Sequence, residues 1–330
     1  MTSKTKFNLD APSYAASGSY DIGNTDTPSG PISLRIIEQN GTESIQFELL
    51  GVSSSVANAL RRIMISEVPT MAIEDVFISL NTSVMQDEVL AHRLGLVPIA
   101  APALAMEYLD VAGVPTDHNT LVFTLAAKCD KSDPKTVNVG EQGLRRKVLS
   151  SDLVWARKTS EESAGSVGAL DQHIAPVSEN ILLNVLADGQ ELSVECHAVK
   201  GIGRTHAKWS PVATASYRLM PDVQVTTDIH DAEAVKKSCP MDVFDIEDVG
   251  SRKQDGQRAV AARPMQCTMC RECLRVLPPD TVQLFRKKDH FIFNVEGTGA
   301  LPVQDVVREA CRILMNKAAN VFNDECSVNN

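Results

Sequence analysis

The stretch QCTMCRECLR at 266–275 places Cys267, Cys270 and Cys273 within seven residues. Thiolates spaced C-x2-C-x2-C fill the first three places of the run C-x2-C-x2-C-x3-C-P, whose fourth cysteine serves a second iron–sulfur cluster. Here that fourth place is Leu277, and the proline after it is present as Pro278. A site built on the three cysteines therefore needs a Cys-Pro from elsewhere, and SCPMDVF supplies Cys239-Pro240. With Cys239 as the fourth place of another run, its first three places would be Ile229, Ala232 and Val235, none able to bind iron. Every ligand for one site is present and every ligand for the other is absent. The spacing predicts one four-thiolate site of Cys239, Cys267, Cys270 and Cys273. Its first-ranked occupant is a single iron–sulfur cluster, with zinc or no metal as the alternatives. Thiolate ligation would add metal-binding energy to the folding of a small lobe.

Residues 240–266 must bring Cys239 back to the other three. MDVFDIEDV and QRAVAARPM each read as a short strand, and the polar GSRKQDGQ between them can turn, so a hairpin would return Gln266 close to Cys239. The other cysteines, Cys129, Cys196, Cys311 and Cys326, are scattered and read as ordinary thiols.

The rest of the chain bounds what this site can serve. The 330 residues are 43% hydrophobic and 22% charged, ordinary for a globular protein with a proper core. No apolar run is long enough to cross a bilayer, and the first twenty residues lack a signal peptide's continuous apolar stretch, so the expected location is cytoplasmic or nuclear. A net charge of −10, from 42 acidic and 32 basic residues, argues against nucleic-acid binding through the chain's own surface.

Residues 1–30 are rich in Ser, Thr, Asn, Gly and Asp and predict a mobile or partner-ordered tail. ISLRIIEQNGTESIQFELL predicts a hairpin around Asn40-Gly41. A helix is expected over 53–67, with Val56, Leu60, Ile63 and Met64 at helical spacing, Ser53–Ser55 available as a cap and Pro69 marking the end. MAIEDVFISLNTS and NTLVFTLAAKC read as strands, and NILLNVLADGQELSVECHAVKGIG as a hairpin around Asp188-Gly189. The stretch 130–180 shows few clear periods. HFIFNVEGTG is a strand with Phe291, Phe293 and Val295 on one face. The longest amphipathic helix, 303–322, carries Val306, Val307, Ala310, Leu314, Val321 and Phe322 on one face. That stripe is wide enough to serve core packing or an interface.

Three stretches together, VANALRRIMISEVPTMAIEDVFI, NTSVMQDEVLAHRLGLVPI and VKGIGRTHAKWSPVATASYRLMPD, resemble the larger alpha-like subunits of cellular RNA polymerases, specifically those shared by eukaryotic polymerases I and III. HFIFNVEGTGALP and the long helix match the family's C-terminal end, so the resemblance covers about 31–326. The polymerase II counterpart carries a zinc-binding cysteine cluster in its inserted domain, whereas 83–224 offers only Cys129 and Cys196. Archaeal counterparts are shorter and lack a tail like residues 1–30, although some carry ferredoxin-like cysteines.

The resemblance implies an α+β fold. A discontinuous dimerisation domain, a sheet plus two long helices, would occupy 31–82 and 279–326. A mostly β insertion domain would span 83–224 and a ferredoxin-like cysteine lobe 225–278, with tails at 1–30 and 327–330. It implies that Val56, Leu60, Ile63 and Met64, with Val306, Val307, Ala310 and Leu314, form the dimer interface with a smaller alpha-like subunit. The heterodimer would then seed assembly with the second-largest catalytic subunit and the other subunits of polymerases I and III. Arg61 and Arg62 would pair with partner carboxylates, and Asp87, His92 and Arg93 would support the insertion domain or a subunit contact. The implied role is a non-catalytic nuclear and nucleolar scaffold supporting transcription of rRNA precursor, tRNA and 5S rRNA, with no sequence-specific nucleic-acid or membrane contact of its own. No acid triad for catalytic magnesium, P-loop or Gly-x-Ser-x-Gly elbow occurs in the sequence. The competing readings are a free-standing iron–sulfur electron carrier and a zinc-dependent nucleic-acid-binding module.

Overall fold

The computed structural model describes residues 30–109, 114–140, 143–156, 174–226, 232–248 and 257–328. The expected N-terminal tail, but for Gly30, lies outside the described residues. In chain order the elements are β1 (Ser33–Asn40), β2 (Ser44–Leu50), α1 (Ser54–Ser66), β3 (Pro69–Asn81), α2 (Asp87–Gly95), β4 (Ile99–Ala100), β5 (Thr120–Lys128), β6 (Thr136–Asn138), β7 (Leu144–Leu149) and β8 (Leu153–Trp155). They continue as β9 (Ala175–Pro176), β10 (Leu182–Ala187), β11 (Glu191–Ile202), β12 (Val212–Val225), α3 (Ala232–Ser238), β13 (Phe244–Asp248), β14 (Gln257–Ala261), α4 (Glu272–Val276), β15 (Val282–Gly297) and α5 (Val303–Val328). The fold is α+β.

The hairpin at Asn40-Gly41 forms as expected: Gly41 takes φ 53° and the Glu43 N–H donates to the Asn40 carbonyl. Its strands enter a sheet of order β1-β2-β15-β12. Two compact units divide the chain, one of residues 1–35, 48–57 and 217–293, the other of 36–47, 58–216 and 294–330.

The first unit buries Val235, Val243, Phe244, Ala259, Cys273, Leu277, Val282 and Leu284 together. Tyr217 packs against Phe291 and Phe293 of β15, with ring centroids 5.4 and 5.3 Å away.

The second unit is organised by the sheet β3-β11-β5-β8. β11 alternates as a half-buried strand should: Leu192, Val194, Cys196 and Ala198 are buried and Glu195 faces out. Cys196 lies opposite Val76 on one side and Phe123 on the other. The tight turn at Asp188-Gly189 is present, with the Gln190 N–H donating to the Ala187 carbonyl. The hairpin expected there does not form. Both edges of β11 are taken, by β3 and β5, so β10 pairs instead with β7 in a separate sheet of order β10-β7-β6.

Two polar devices hold this unit where apolar periodicity is weak. Arg146, almost fully buried, pairs with Asp133, lies 3.7 Å from Asp152, and donates to the Lys128 carbonyl at 3.0 Å. Lys135 also pairs with Asp152, whose other oxygen accepts the Leu149 N–H at 3.0 Å. The second device is the segment KGIGRTHAKW. A Cβ on Gly201 would stand 2.3 Å from the Trp209 ring, and one on Gly203 would stand 2.3 Å from the Ile65 carbonyl oxygen. Only glycine admits Trp209 and the end of α1 this closely. Trp209 then donates to the Val199 carbonyl and accepts from Thr70, while Lys208 donates to the Ile73 carbonyl and pairs with Glu74. The segment clasps β11 to the start of β3.

Burial, with the nearby charge of Glu195, pushes the Cys196 thiol up to about 12. An unfolded thiol ionises near about 8.5. Below that pH both states keep the proton. Above it the unfolded chain loses a proton that the folded chain retains, so this group's contribution to stability falls as pH rises towards 12. The urea midpoint should therefore decline from about pH 8.5 upward, and decline less steeply in Cys196→Ala. Equal slopes in the two proteins would contradict the assignment.

Candidate assembly surface and thiol site

The cysteine lobe is built by a hairpin and a clamp. Cys239 directly follows α3, and its carbonyl accepts the Asp242 N–H in a tight turn where Asp242 takes φ 52°. β13 and β14 pair antiparallel from Phe244 opposite Ala261 to Asp248 opposite Gln257, the hairpin the sequence predicts. Arg263 closes it, donating to the Asp242 carbonyl at 2.8 Å and to its carboxylate at 2.7 Å. Lys236 ties α3 to β13 through Asp245 at 2.9 Å. This returns the chain beside Cys239 just before the turn Pro264–Gln266 and Cys267.

From Cys267 the backbone coils tightly. Met269 and Arg271 take φ 59° and 62°. Among the described residues, the four non-glycine positive-φ positions, Asp242, Met269, Arg271 and Asp280, all lie between 242 and 280. Left-handed backbone costs a non-glycine residue of order 1–3 kcal/mol, and such strain concentrates at functional loops. Burial pushes the Cys267 thiol up, with the charges of Cys239 and Cys270 adding, while the Met269 N–H and Arg218 pull it down. Cys273 is likewise raised by burial, opposed by the Leu274 N–H and reinforced by Cys267, Cys239 and Cys270. The charges of Cys239 and Cys270 thus act on both Cys267 and Cys273. By residue type, four cysteines are the donor set of a thiolate-bound group. As the side chains are placed, however, no three His, Cys, Asp or Glu residues among the described ones gather closely enough to hold a metal ion. Leu277, in the place of a second cluster's ligand, is buried in the lobe's core.

The other candidate site is a surface. Of the residues expected at a dimer interface, Ile63, Met64, Val306 and Ala310 are buried within the chain. Leu60, Val307 and Leu314 are half-buried, and Val56 is exposed. α5 changes character along its length. Val303, Val306 and Ala310 are fully covered, whereas Met315, Val321 and Phe322 expose 69%, 59% and 68% of their surface. Lys317 reaches from this outer half to Glu67. Met315, which the motifs did not single out, joins the exposed residues of α5, and separately Ile32, Leu34 and Ile36 at β1 also stay exposed. The signal was their period-two pattern in ISLRII.

Arg61 folds back on its own helix, donating from Nε and Nη2 to Asn58 at 3.2 and 3.0 Å. Arg62 is exposed. Asp87 accepts from Asn81 at 2.6 Å, and Arg93 donates to the carbonyls of Leu182 and Leu183. These two tie α2 to the end of β3 and to β10, while His92 is exposed.

Residues 46–318 match the family model described as the RNA polymerase Rpb3/Rpb11 dimerisation domain. The chain is 41% identical over 289 residues to "DNA-directed RNA polymerases I and III subunit rpac1" of Dictyostelium discoideum, covering 86% of this chain and 79% of that one. It is 39% identical over 287 residues to "DNA-directed RNA polymerases I and III subunit RPAC1" of Saccharomyces cerevisiae, covering 84% and 83%. Against "DNA-directed RNA polymerase II subunit rpb3" of Dictyostelium discoideum the identity is 34% over 293 residues, covering 84% and 90%.

Proposed function

This chain belongs to the RNA polymerase Rpb3/Rpb11 dimerisation family, and we propose that it is the non-catalytic alpha-like scaffold subunit shared by RNA polymerases I and III. It pairs with a smaller alpha-like subunit, and the pair nucleates assembly with the second-largest subunit. The observation that carries this reading is the outer half of α5, where Met315, Val321 and Phe322 are exposed on a helix whose first turns are buried. Such a face gains stability from a partner's apolar surface, at about 25 cal/mol per Å² removed from water. The higher identity to the polymerase I and III subunit than to the polymerase II subunit of the same organism selects the enzyme class. This reading replaces those of an electron carrier and a zinc-dependent nucleic-acid module. Its location is nuclear, with a nucleolar share through polymerase I.

Because Phe322 is exposed, Phe322→Asp should leave the isolated fold intact while weakening pairing with the smaller subunit by about 100-fold or more, as loss of a central aromatic anchor does. Co-expression and pull-down with unchanged circular dichroism checks this. An undiminished heterodimer would remove α5 from the interface.

The cysteine lobe has a second proposed role, favoured by the left-handed backbone at Met269 and Arg271 and by the C-x2-C-x2-C spacing. Cys239, Cys267, Cys270 and Cys273 hold a single iron–sulfur cluster, with zinc the competing occupant. When bound, the group lends its ligation energy to the fold of the lobe. Anaerobic purification should yield iron and sulfide together, both lost in Cys273→Ser. Zinc without sulfide would assign the competing occupant, and neither metal would end the proposal.

A further inference from the structure

α2 and β10 flank a groove of about 570 Å³. Its walls are mostly aliphatic, with Gln86 and Asn184 among them, and open to solvent: Val84 is 91% exposed, Val89 47%, Leu182 40% and Val185 44%. Arg93 also lines it. The guanidinium donates from Nε to the Leu183 carbonyl at 3.0 Å and from Nη2 to the Leu182 carbonyl. Carbonyls satisfy hydrogen bonds but cancel no charge. Among the described residues, no carboxylate lies within ion-pair distance of Arg93, and Asp87 on the same helix accepts from Asn81 instead. Arg93 has five donors in a fixed fork, and these two bonds leave others free.

The same contacts exclude one mode of binding. Among the described residues β10 pairs with β7 alone, so its other edge carries no strand there. Arg93 occupies the Leu182 and Leu183 carbonyls at the start of β10, where the register with β7 shifts between Leu182 and Asn184. An added strand would find its ladder blocked there. What remains is a trough for side chains, with apolar walls and one uncompensated cation. A cation beside apolar walls is stabilised most by a carboxylate in charge-assisted contact.

We propose that this groove docks a segment of a neighbouring polypeptide, one carrying aliphatic or aromatic side chains next to an Asp or Glu that pairs with Arg93. The proposal rests on the reading that the chain works inside a multisubunit polymerase. It adds a second contact surface, on residues other than those of α5.

Photo-crosslinking in the purified polymerase tests it, with benzoylphenylalanine placed at Val89, at Met315 on α5, or at the exposed Val154 of β8 as a control. Val89 should form an adduct with one polypeptide, at a peptide with an acidic residue beside apolar ones, and Val154 should not. Arg93→Glu should lower the Val89 yield about tenfold, Arg93→Lys should retain most of it, and the Met315 adduct should be unaffected. Since Arg93→Glu also removes the cap on Leu182 and Leu183, Val185→Glu serves as a second variant. It places a like charge against the acidic segment without touching those bonds, and it too should lower the yield. A Met315 adduct with none at Val89 overturns the groove proposal and leaves the assembly reading standing. Absence of both adducts overturns both. A Val89 adduct on a segment without acidic residues, or one insensitive to Arg93→Glu and Val185→Glu, also overturns the proposal.

Discussion

Helix α5 is longer than the core it grows from. It runs 26 residues, roughly 39 Å at the usual rise per residue. Val303, Val306 and Ala310 anchor its first turns, and beyond Ala310 every described residue is half-buried or exposed. A helix projecting without an apolar surface to rest on has only marginal stability of its own. Met315, Val321 and Phe322 on that projection turn the deficit into a demand for a partner. The match to a family described as a dimerisation domain fits this demand.

Polar features elsewhere in the second unit hold its strands and loops in place. The clasp at Gly201, Gly203, Lys208 and Trp209 fixes β11 against β3 and holds the end of α1. The buried Arg146 network does the same for the loops before β7, where single substitutions would strand a buried charge. No residue in either set is arranged for bond-making chemistry. Their product is shape, which is what a scaffold contributes to an enzyme whose catalysis lies in other chains.

Legibility in the sequence followed the strength of local signals. Asn40-Gly41, the helix at Val56–Met64 and the alternation of Phe291, Phe293 and Val295 were readable because each carries its own period or turn chemistry. The hairpin around Gly189 was misread because a turn signal does not say which neighbour wins the strand. That depended on β3 and β5 occupying both edges of β11, a tertiary fact. The stretch 130–180 showed few clear periods, and in its described part ion pairs from Asp133 and Asp152 to Arg146 organise the chain together with the buried Val148 and Leu153. In the cysteine lobe the strand-turn-strand pattern pointed to the hairpin that pairs β13 with β14. It gave no hint of the Arg263–Asp242 clamp, which depends on two polar residues meeting across a turn.

Hydrogen–deuterium exchange over residues 311–323 tests the dependence of α5 on a partner most directly. In the isolated chain these amides should exchange at least about tenfold faster than those of 303–310, as expected for a helix end outside a cooperative core. In the purified polymerase the two segments should become equally protected. Full protection of 311–323 in the isolated chain, unchanged on assembly, would contradict the claim that this helix is completed by another subunit.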